Sequence, residues 1–354
     1  MHFDSDYTNT CHPLILQRMA QTEGQSLPGY GTDAITRSAS DKIRRHCQCP
    51  DADVYFLGGG TQTNMVVIDY LLRSFEGVLA ADTGHIAIHE SGAVEFTGHK
   101  VLTLPPNDGK LTAKQVDDYV TTYYADPNWE HIVPPGMVYI THPTEYGTLY
   151  SLSELEEISA VCHKHGIPLY LDGARLGYAL AAEPAGADRF PTLPDIARLC
   201  DAFYIGGTKC GAMFGEAVVF PNIKTWSPRG ENRFFSHIKR HGALLAKGWI
   251  AALQFDTLLE GDTLTSTPYF TICRHAVSEA MRLRQALVSK GYELPVDSPT
   301  NQQFVRVTLD RAAELKQHIT YGEWEPPCGN NVTIRLATSW ATQPDDVDRL
   351  IQLL

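Results

Sequence analysis

Four groups of residues combine a lysine, two carboxylates and a glycine-rich turn, a set that could hold an anion and react with a carbonyl compound. The groups are 58–64, 142–145, 172–175 and 208–209. Each follows an apolar run that is typical of a buried strand. Because ligands of open α/β sheets bind beyond the carboxyl ends of the strands, we expect all four groups to meet at one edge of a sheet.

Lys209 is the most unusual of these residues, because it lies in a small and apolar stretch, 202–212. Burial there would remove water from the amine and favour its neutral form. A desolvated amine is the nucleophile that forms Schiff bases with carbonyl compounds. The ordinary alternative is a solvated surface lysine, since lysine side chains are seldom fully buried.

Asp172 ends the apolar run 168–171, so we expect its carboxylate to be buried near the edge of the sheet. A buried charge is costly unless it is paired. Arg175, three residues further on, could be that partner, and a simple salt bridge would then explain both residues. The other explanation is a role in binding a cofactor.

Three glycines at 58–60 are followed by Thr61, Thr63 and a helical pattern, which is one way to hold a phosphate. Glycine lets the backbone approach an anion closely, and the free N–H groups at the start of a helix point towards it. The run is not a dinucleotide fingerprint, which would need glycine at Thr63, and no P-loop motif follows. A plain tight turn before a helix is the alternative.

Together these groups indicate pyridoxal 5′-phosphate. This cofactor needs a cup for its phosphate, a lysine for its aldehyde and a carboxylate for its pyridine nitrogen. The chain offers them in the order Gly60, Asp172 and Lys209, each after a predicted strand. We therefore predict pyridoxal phosphate as the cofactor.

Strands alternating with helices have to position these residues, which indicates an α/β fold with parallel strands. A capping box at Ser151 and Glu154 predicts the start of one helix. The Thr-, Ser- and Gly-rich stretch 261–268 predicts the exit from an N-terminal arm and large domain, 1–262, into a small C-terminal α+β domain, 263–354. The predicted strands are 53–57, 137–141, 167–171, 202–205, 217–220, 303–309 and 332–337, and the longest predicted helix before the small domain is 237–259.

The composition is that of an ordinary globular protein, with 43% hydrophobic and 20% charged residues in a chain of 354. Its 41 acidic and 29 basic residues leave a net charge of −12, which disfavours nucleic-acid binding because that requires clustered positive charge. No apolar run approaches the roughly 18 residues of a membrane span, and the N-terminus has no signal-peptide pattern. We therefore expect a cytoplasmic protein with free thiols and no membrane or nucleic-acid partner.

Two groups look like fragments of metal sites. Cys47 and Cys49 lie beside His46, but the spacing is Cys-x-Cys and no second pair follows. His85 and His89 could share one face of a helix, but no third ligand is evident. We predict no metal site.

A combination of short motifs along nearly the whole chain is specific to one enzyme family. The motifs are Ser5-Asp6, 28–33, 60–64, His85 with Glu90, 143–150, 172–175, Thr208-Lys209 and 333–338. On these residues the chain resembles the threonine aldolase and β-eliminating lyase family, whose members are fold type I pyridoxal phosphate enzymes. Phenylserine-aldolase-like members are the most similar, through 144–150 and the basic pair Lys239-Arg240. The resemblance implies a large domain with a mostly parallel seven-stranded sheet and a small C-terminal α+β domain.

The resemblance also implies a role for each matching residue. Lys209, preceded by Thr208, would bond to the cofactor aldehyde, and Asp172 would pair with the pyridine nitrogen. Arg175 would lie near the ring phenolate oxygen, and His85 would stack on the ring. The other implied contacts are Gly60 and Thr61 with the phosphate, Arg335, Ser5 and Tyr30 with the substrate and its carboxylate, and Lys247 with a phosphate across a subunit boundary.

Glu145 occupies the loop position where many members of the family carry a histidine, a candidate for handling the β-hydroxyl proton. Glu145 could act as that base, directly or through water, if burial raises its pKa towards neutrality. His142 is a second candidate for the base. A purely structural carboxylate that orders the loop is the remaining alternative for Glu145.

The resemblance implies an aldolase that cleaves a β-hydroxy-α-amino acid of the threonine, allo-threonine or phenylserine type into glycine and an aldehyde. A β-elimination lyase, a racemase or an aminotransferase acting on a small amino acid could use the same residues, because the orientation of the Cα substituents decides which bond breaks. A scaffold without catalysis would have no need of a desolvated lysine. Family members usually form dimers or tetramers, so we expect a homodimer or homotetramer.

Overall fold

Two β-sheets with helices packed on them make up the structure, a computed structural model that describes residues 1–184, 186, 188–226 and 231–354. The strands are β1 (His2–Phe3), β2 (Asp53–Leu57), β3 (Gly77–Ala81), β4 (Val101–Leu104), β5 (Pro135–Thr141), β6 (Leu169–Asp172), β7 (Ala202–Gly206), β8 (Glu216–Phe220), β9 (Gln302–Thr308), β10 (Thr320–Glu323) and β11 (Asn331–Ala337). The α-helices are α1 (Pro13–Ala20), α2 (Ala34–Cys47), α3 (Gly60–Leu71), α4 (His85–Ile88), α5 (Ala93–Phe96), α6 (Ala113–Ala125), α7 (Leu152–His165), α8 (Leu176–Ala181), α9 (Leu193–Leu199), α10 (Phe234–Arg240), α11 (Trp249–Leu258), α12 (Pro268–Ser289), α13 (Leu309–Leu315) and α14 (Pro344–Leu353).

Seven strands form the larger sheet, in the order β2-β8-β7-β6-β5-β3-β4. The five strands from β7 to β4 are parallel, whereas β8 runs antiparallel to both of its neighbours. Every residue of β3, β6, β7 and β8 is buried, as is typical of parallel sheets with helices on both faces. The predicted α/β architecture is therefore confirmed.

Side chains alternate between the two faces of this sheet, and each face has its own apolar core. On β5, Val138 and Ile140 belong to one core, and Tyr139 belongs to the other. Tyr170 and Tyr204 share the core of Tyr139. Because the period of a strand is two residues, Asp172 lies on the same face as these three tyrosines, at the end of β6.

The smaller sheet has the order β1-β10-β11-β9 and packs with α12, α13 and α14 around a third core. β1, at the start of the chain, pairs in parallel with β10, so the N-terminal arm joins the sheet that the C-terminal part of the chain forms. The domain boundary between residues 262 and 263 stays a prediction. β1 and β10 of this sheet, like β3 and β4 of the larger sheet, are additions to the predicted strands.

The single long helix predicted over 237–259 is wrong, because the region contains two helices, α10 and α11. The break lies at Gly242, whose φ of 67° is the left-handed conformation that glycine adopts readily. The N–H of Ala243 donates to the carbonyl of Ile238, which closes α10 in a Schellman-type end. The helix predicted from Ser151 is confirmed as α7.

All eight cysteines lie among the described residues and are unpaired thiols, as predicted. Burial raises the pKa of the Cys47 and Cys49 thiols, and Nε2 of the neighbouring His46 lies 3.1 Å from the carbonyl oxygen of Leu259. These contacts explain His46 and Cys47 as core residues of α2. Among the helices of the described residues, none combines the length and the apolar character that crossing a membrane requires.

Candidate active site

A cavity of about 350 Å³ lies at the carboxyl ends of the central strands, and both Lys209 and Asp172 line it. The amine and the acid that were predicted to hold opposite ends of one ring therefore share a single space. A larger opening of about 790 Å³ elsewhere contains none of the predicted site residues, so size alone does not mark the site. The other predicted residues that line the smaller cavity are Gly60, Thr61, His85, Glu145, Arg175 and Thr208.

Asp172 accepts hydrogen bonds at both of its carboxylate oxygens. Oδ1 accepts from the hydroxyl of Tyr204 at 2.5 Å and from a backbone N–H at 3.0 Å. Oδ2 accepts from the hydroxyl of Tyr139 at 2.6 Å and from Nδ2 of Asn64 at 2.9 Å. Burial alone would raise the pKa of Asp172, but the nearby His85 and the tyrosine hydroxyls outweigh it and hold the pKa below its usual range. Asp172 therefore stays ionised at neutral pH and can keep a pyridine nitrogen protonated.

The hydrogen-bond partners of Asp172 are functional residues that the sequence-based prediction lacks. Tyr139 and Tyr204 lie on β5 and β7, which flank β6, and both point to the face of Asp172. Alternation along neighbouring strands was the signal that could have found them. Asn64 belongs to the matched motif 60–64, but its side-chain contact could be seen only in the structure.

Lys209 faces the cavity and is otherwise enclosed by protein. Burial lowers the pKa of its amine, and the positive charge of Arg175 lowers it further. The carboxylates of Asp6, Asp172 and Glu216 act in the opposite direction without cancelling the effect. The amine is therefore neutral more often than that of a surface lysine, as predicted, and it can act as a nucleophile.

The N-terminus of α3, where the phosphate cup is predicted, lies at the cavity, with Gly59, Gly60 and Thr61 on its wall. A Cβ atom at Gly59 would meet no atom within 4 Å, so the space beside it is open. The first N–H groups of a helix have no partner within it and carry partial positive charge, which favours an anion. Thr63 was also considered as a donor, but its hydroxyl donates to the carbonyl of Gly59 at 2.9 Å and serves the turn.

His85 begins α4 and is fixed in the cavity by two carboxylates. Its backbone N–H donates to Oε1 of Glu145 at 2.8 Å, and its ring nitrogen Nδ1 lies 2.7 Å from Oε1 of Glu90. The same Glu90 oxygen accepts from Asn64, which also donates to Asp172. The His85 side chain is 34% exposed and lines the cavity, which is compatible with the predicted stacking role.

Arg175 pairs with Asp6 and not with Asp172, so the local salt bridge considered for Asp172 is wrong. Nε and Nη2 of Arg175 donate to the two oxygens of Asp6 at 2.7 and 3.0 Å. Burial alone would raise the pKa of Asp6, but Arg175 lowers it to about 2. The two residues are 169 positions apart. Sequence spacing favoured the near carboxylate, whereas the fold brings the N-terminal arm to the cavity.

Arg335 carries an unpaired buried donor beside a second cavity of about 510 Å³. Its Nη2 donates to the carbonyl of Asp4 at 2.9 Å and its Nη1 to Oε1 of Gln302 at 3.2 Å. Its Nε, like Oγ of Ser5, is buried without a partner among the described residues. Since buried polar atoms are nearly always hydrogen-bonded, Nε of Arg335 is a candidate contact for a substrate carboxylate. Ser5 lines neither cavity, and its part in binding stays a prediction.

Glu145 lines both cavities and is buried. Burial raises the pKa of its carboxyl to about 7, and the charge of Asp172 contributes to the rise. Its Oε1 also accepts from the hydroxyl of Thr141 at 2.9 Å, so the carboxyl has a defined position. A group with a pKa near neutrality can both take up and release a proton at physiological pH.

His142, the second candidate base, lines neither of the two cavities. It is buried, and its Nδ1 accepts the N–H of Tyr150 at 3.3 Å. Burial lowers the pKa of His142 to about 3, so the ring is neutral. The structure therefore favours Glu145 over His142.

Glu216, at the start of β8, is a further acid of the cavity that the prediction lacks. Burial raises the pKa of its carboxyl to about 8. It accepts from the N–H of Gly207 at 3.0 Å and from the hydroxyl of Thr208 at 2.8 Å. Thr208 thus ties the loop of Lys209 to β8, and its contact with a cofactor stays a prediction.

Tyr30 and Lys247 are predicted site residues that, like Ser5, line neither of the two cavities in a single chain. Both are exposed. They lie close together, because the N–H of Tyr30 donates to the carbonyl of Ala246 at 3.0 Å. The ammonium group of Lys239 lies over the ring of Tyr30, 5.5 Å from its centroid.

The chemical groups that line the cavity match those that pyridoxal phosphate requires. The open turn before α3 suits a phosphate, and the ionised Asp172 suits a protonated pyridine nitrogen. Lys209 offers an amine whose pKa is lowered. The unpaired Nε of Arg335 leaves a donor for the carboxylate of an amino acid.

Comparison with known proteins places the chain among related enzymes. A curated relative, the low specificity L-threonine aldolase of Pseudomonas aeruginosa, is 33% identical over 266 residues, which are 73% of this chain and 72% of the relative. A solved structure of Leishmania major threonine aldolase is 40% identical, with a TM-score of 0.92 over 99% of this chain and 98% of that one. A structure of SPT with PLP is 14% identical, with a TM-score of 0.68 over 100% and 86% of the two chains.

The likeness to the last of these structures shows the fold alone, and together with the Leishmania structure it confirms the predicted fold type I architecture. Residues 2–308 match the family of beta-eliminating lyases. That match spans most of the chain, including the glycine-rich turn before α3, Asp172 and Lys209. The chain therefore belongs to the beta-eliminating lyase family.

Proposed function

We propose that this protein is a pyridoxal phosphate-dependent aldolase that cleaves threonine-type β-hydroxy-α-amino acids into glycine and an aldehyde. The observation that carries the proposal is the single cavity shared by Lys209 and the ionised Asp172. The relatives named threonine aldolase support the reaction, since the similarity extends over most of both chains. We extend the proposal to the cleavage of allo-threonine and phenylserine.

The cofactor, when bound, supplies an electron sink for the charge left on Cα as the Cα–Cβ bond breaks. The start of α3, with Gly60 and Thr61 on the cavity wall, would hold the phosphate group. The amine of Lys209 would hold the aldehyde carbon, and Asp172 would hold the proton on the pyridine nitrogen. His85, which also lines the cavity, would present its ring as a flat partner.

Arg335 binds the substrate carboxylate, because a guanidinium fork matches a carboxylate in two-point geometry. Trp324 limits the movement of Arg335, whose guanidinium lies 5.6 Å from the centroid of the indole ring. Trp324 and Tyr146 also line the second cavity, with their rings 5.5 Å apart at 76°. These aromatic walls suit the phenyl group of a phenylserine-type substrate.

Glu145 accepts the proton of the β-hydroxyl group as the Cα–Cβ bond breaks. Its carboxyl lines both cavities and therefore faces the cofactor site as well as the space beside Arg335. The N–H of His85 and the hydroxyl of Thr141 both donate to Oε1. Oε2 is the carboxylate oxygen that receives neither of these two hydrogen bonds, and we assign the proton to it.

We expect Glu145→Gln to lower the rate of aldehyde release by about 10²-fold, the lower end of what a general base contributes. A base must be deprotonated to accept a proton, so the wild-type rate should fall as the pH falls through about 7, the raised pKa of Glu145. Glutamine does not titrate, and the residual rate should lack this dependence. Initial rates of threonine cleavage from acid to alkaline pH measure both effects.

Glu216→Gln is the matched control, since Glu216 is a second buried carboxyl of the same cavity with its pKa raised to about 8. This variant should keep the fall in rate around pH 7, whatever its absolute rate. A Glu145→Gln enzyme with the wild-type pH profile would show that Glu145 is not the base.

A substrate panel tests the proposed function. Purified protein with added pyridoxal phosphate should release glycine together with acetaldehyde from threonine and allo-threonine, and with benzaldehyde from phenylserine. Pyruvate and ammonia from a β-substituted amino acid would indicate a β-elimination lyase. Transfer of the amino group to a keto acid would indicate an aminotransferase, and inversion of configuration at Cα would indicate a racemase. Absence of aldehyde across the panel, with cofactor bound, would refute the proposal.

The exposed positions of Tyr30 and Lys247 support a homodimer or homotetramer, in which these residues face the site of a neighbouring subunit. The resemblance assigns them to the substrate and to a phosphate, and one chain alone does not place them there. A cytoplasmic location is supported by the eight unpaired thiols, which are typical of a reducing compartment.

A further inference from the structure

Three histidines and an aspartate form a cluster apart from the active-site cavities, which we name the Asp69 cluster. It comprises Asp69 near the end of α3, His99 between α5 and β4, His237 on α10 and His241 directly after α10. None of the four lines either cavity, and the proposed reaction uses none of them. The side chains of Asp69, His99 and His241 are 6%, 2% and 9% exposed, and that of His237 is 25% exposed.

Both oxygens of Asp69 face imidazole nitrogens. Oδ2 lies 2.9 Å from Nδ1 of His237 and 2.8 Å from Nε2 of His241. Oδ1 lies 3.5 Å from Nε2 of His99. Ligand atoms of Asp69, His237 and His241 all lie within 4.8 Å of one another. In a tetrahedral zinc site with bonds of about 2.0–2.1 Å, ligand atoms are about 3.3 Å apart, so shifts of these side chains would bring the atoms to that spacing.

His99 contacts the cluster from the side of Asp69. Its Nδ1 lies 3.0 Å from the carbonyl oxygen of Glu76, and its Nε2 lies 3.5 Å from Oδ1 of Asp69. The ligand atoms that lie within 4.8 Å of one another are those of Asp69, His237 and His241. His99 is therefore a supporting residue that orients the carboxylate of Asp69, and supporting residues of this kind commonly surround metal ligands.

We propose that the Asp69 cluster binds a divalent transition-metal ion, with zinc as the best fit. The ligands are a carboxylate oxygen of Asp69, Nδ1 of His237 and Nε2 of His241. Imidazole nitrogen and carboxylate oxygen are ligands that zinc accepts in tetrahedral sites. Three protein ligands leave the fourth position of the tetrahedron to water. The ion joins α10 to α3, the helix whose other end forms the phosphate cup.

Metal binding requires lone pairs on Nδ1 of His237 and Nε2 of His241. Any proton that bridges these nitrogens to Asp69 is released to solvent or moves to the other nitrogen of its ring as the metal binds. No oxidant or reductant is needed.

Arg240 is the cation that competes for Asp69. Its Nη1 lies 3.4 Å from Oδ2 of Asp69, but its side chain is 65% exposed and can withdraw into solvent. A metal ion and a guanidinium group at that distance repel each other. Removal of the Arg240 charge should therefore strengthen metal binding, an effect that a simple Arg240–Asp69 salt bridge does not predict.

The test uses the full chain with cofactor bound, stripped with a chelator and dialysed before zinc is added. We expect elemental analysis to find zinc retained at one ion per chain in the cluster, and zinc to raise the unfolding temperature. By calorimetry, Asp69→Asn and His241→Gln should bind zinc at least about 100-fold more weakly, since loss of a supporting residue alone costs about 10–100-fold. Arg240→Gln should bind at least about tenfold more tightly, because a repelling charge is gone.

His165→Gln is the matched control. Nε2 of His165 lies 2.6 Å from Oδ1 of Asp117, which also accepts from Lys164, so this aspartate contacts one histidine and lacks the second histidine of the Asp69 cluster. Its zinc binding should equal that of the wild type. Wild-type protein that retains no zinc, zinc uptake that Asp69→Asn does not weaken, or an Arg240→Gln variant with unimproved affinity would each overturn the proposal. Arg240 is exposed, so this last variant keeps the test valid even if Asp69→Asn folds poorly.

Discussion

Replacing Lys209 by alanine is expected to abolish covalent attachment of the cofactor and to lower the aldolase rate by at least about 10⁴-fold, beyond the 10²–10⁴ of a single acid–base group. The reason is that Lys209 is the amine that both lines the cavity and has its pKa lowered by burial. Its removal takes away the nucleophile and the residue that holds the aldehyde. Borohydride reduction followed by peptide mass spectrometry should find the cofactor on Lys209 in the wild type and on no residue of the variant.

Lys110→Ala is the control for this experiment. Lys110 is also largely buried, at 17% exposure, but it is paired with Glu154 at 2.6 Å and does not line the cavity of Lys209. Its loss should leave the label on Lys209. If the reduced cofactor maps to another lysine, or if Lys209→Ala keeps the yellow colour and the adduct, the site described above is wrong.

Replacing Asp172 by asparagine is expected to lower the aldolase rate by about 10²- to 10⁴-fold, because removal of one partner of a buried ion pair costs about 3–5 kcal/mol and each 1.36 kcal/mol in the barrier is tenfold in rate. Asp172 is held ionised by the nearby His85 and the hydroxyls of Tyr139 and Tyr204. Asparagine carries no charge, so the pyridine nitrogen would lose its proton and the ring would accept electrons poorly. Steady-state rates with saturating cofactor, together with the cofactor dissociation constant, measure the effect.

Tyr139→Phe separates the charge of Asp172 from its hydrogen bonds. It removes the donor at 2.6 Å from Oδ2 but keeps the carboxylate, with Asn64 still bonded to the same oxygen. A single hydrogen bond contributes about 1 kcal/mol, so we expect a loss of about tenfold or less. An Asp172→Asn enzyme within a few-fold of the wild type would mean that the carboxylate does not act on the cofactor.

The residues that could be predicted share one property, which is that their roles depend on local sequence. Lys209 and Asp172 follow apolar runs, and the glycines before Thr61 open a helix. A strand and the residue after it are recognisable from a few neighbours, because burial of a strand requires an apolar run. The capping box at Ser151 is local in the same sense. The glycine signal that ends α10, at Gly242, is local as well, but the predicted helix 237–259 runs through it.

The remaining features depend on residues that are far apart in the chain. Arg175 has its partner 169 positions away in Asp6, and the first strand joins a sheet formed mainly by the last hundred residues. The Asp69 cluster likewise joins α3 to α10, across 168 positions in the case of His237. Spacing along the chain determines which element a residue belongs to, but it does not determine which distant element packs beside it.

The sequence by itself determined the α/β architecture and the order along the chain of the glycine-rich turn, Asp172 and Lys209, to which we assign the cofactor contacts. Only the tertiary structure decided that Tyr139, Tyr204 and Asn64 hold Asp172 in its ionised form, and that Glu145 rather than His142 reaches the cavity. The physical reason is that a pKa and a hydrogen-bond partner depend on burial and on neighbours in space. Those neighbours come from separate strands and helices, and their positions are set when the sheet and its cores pack together.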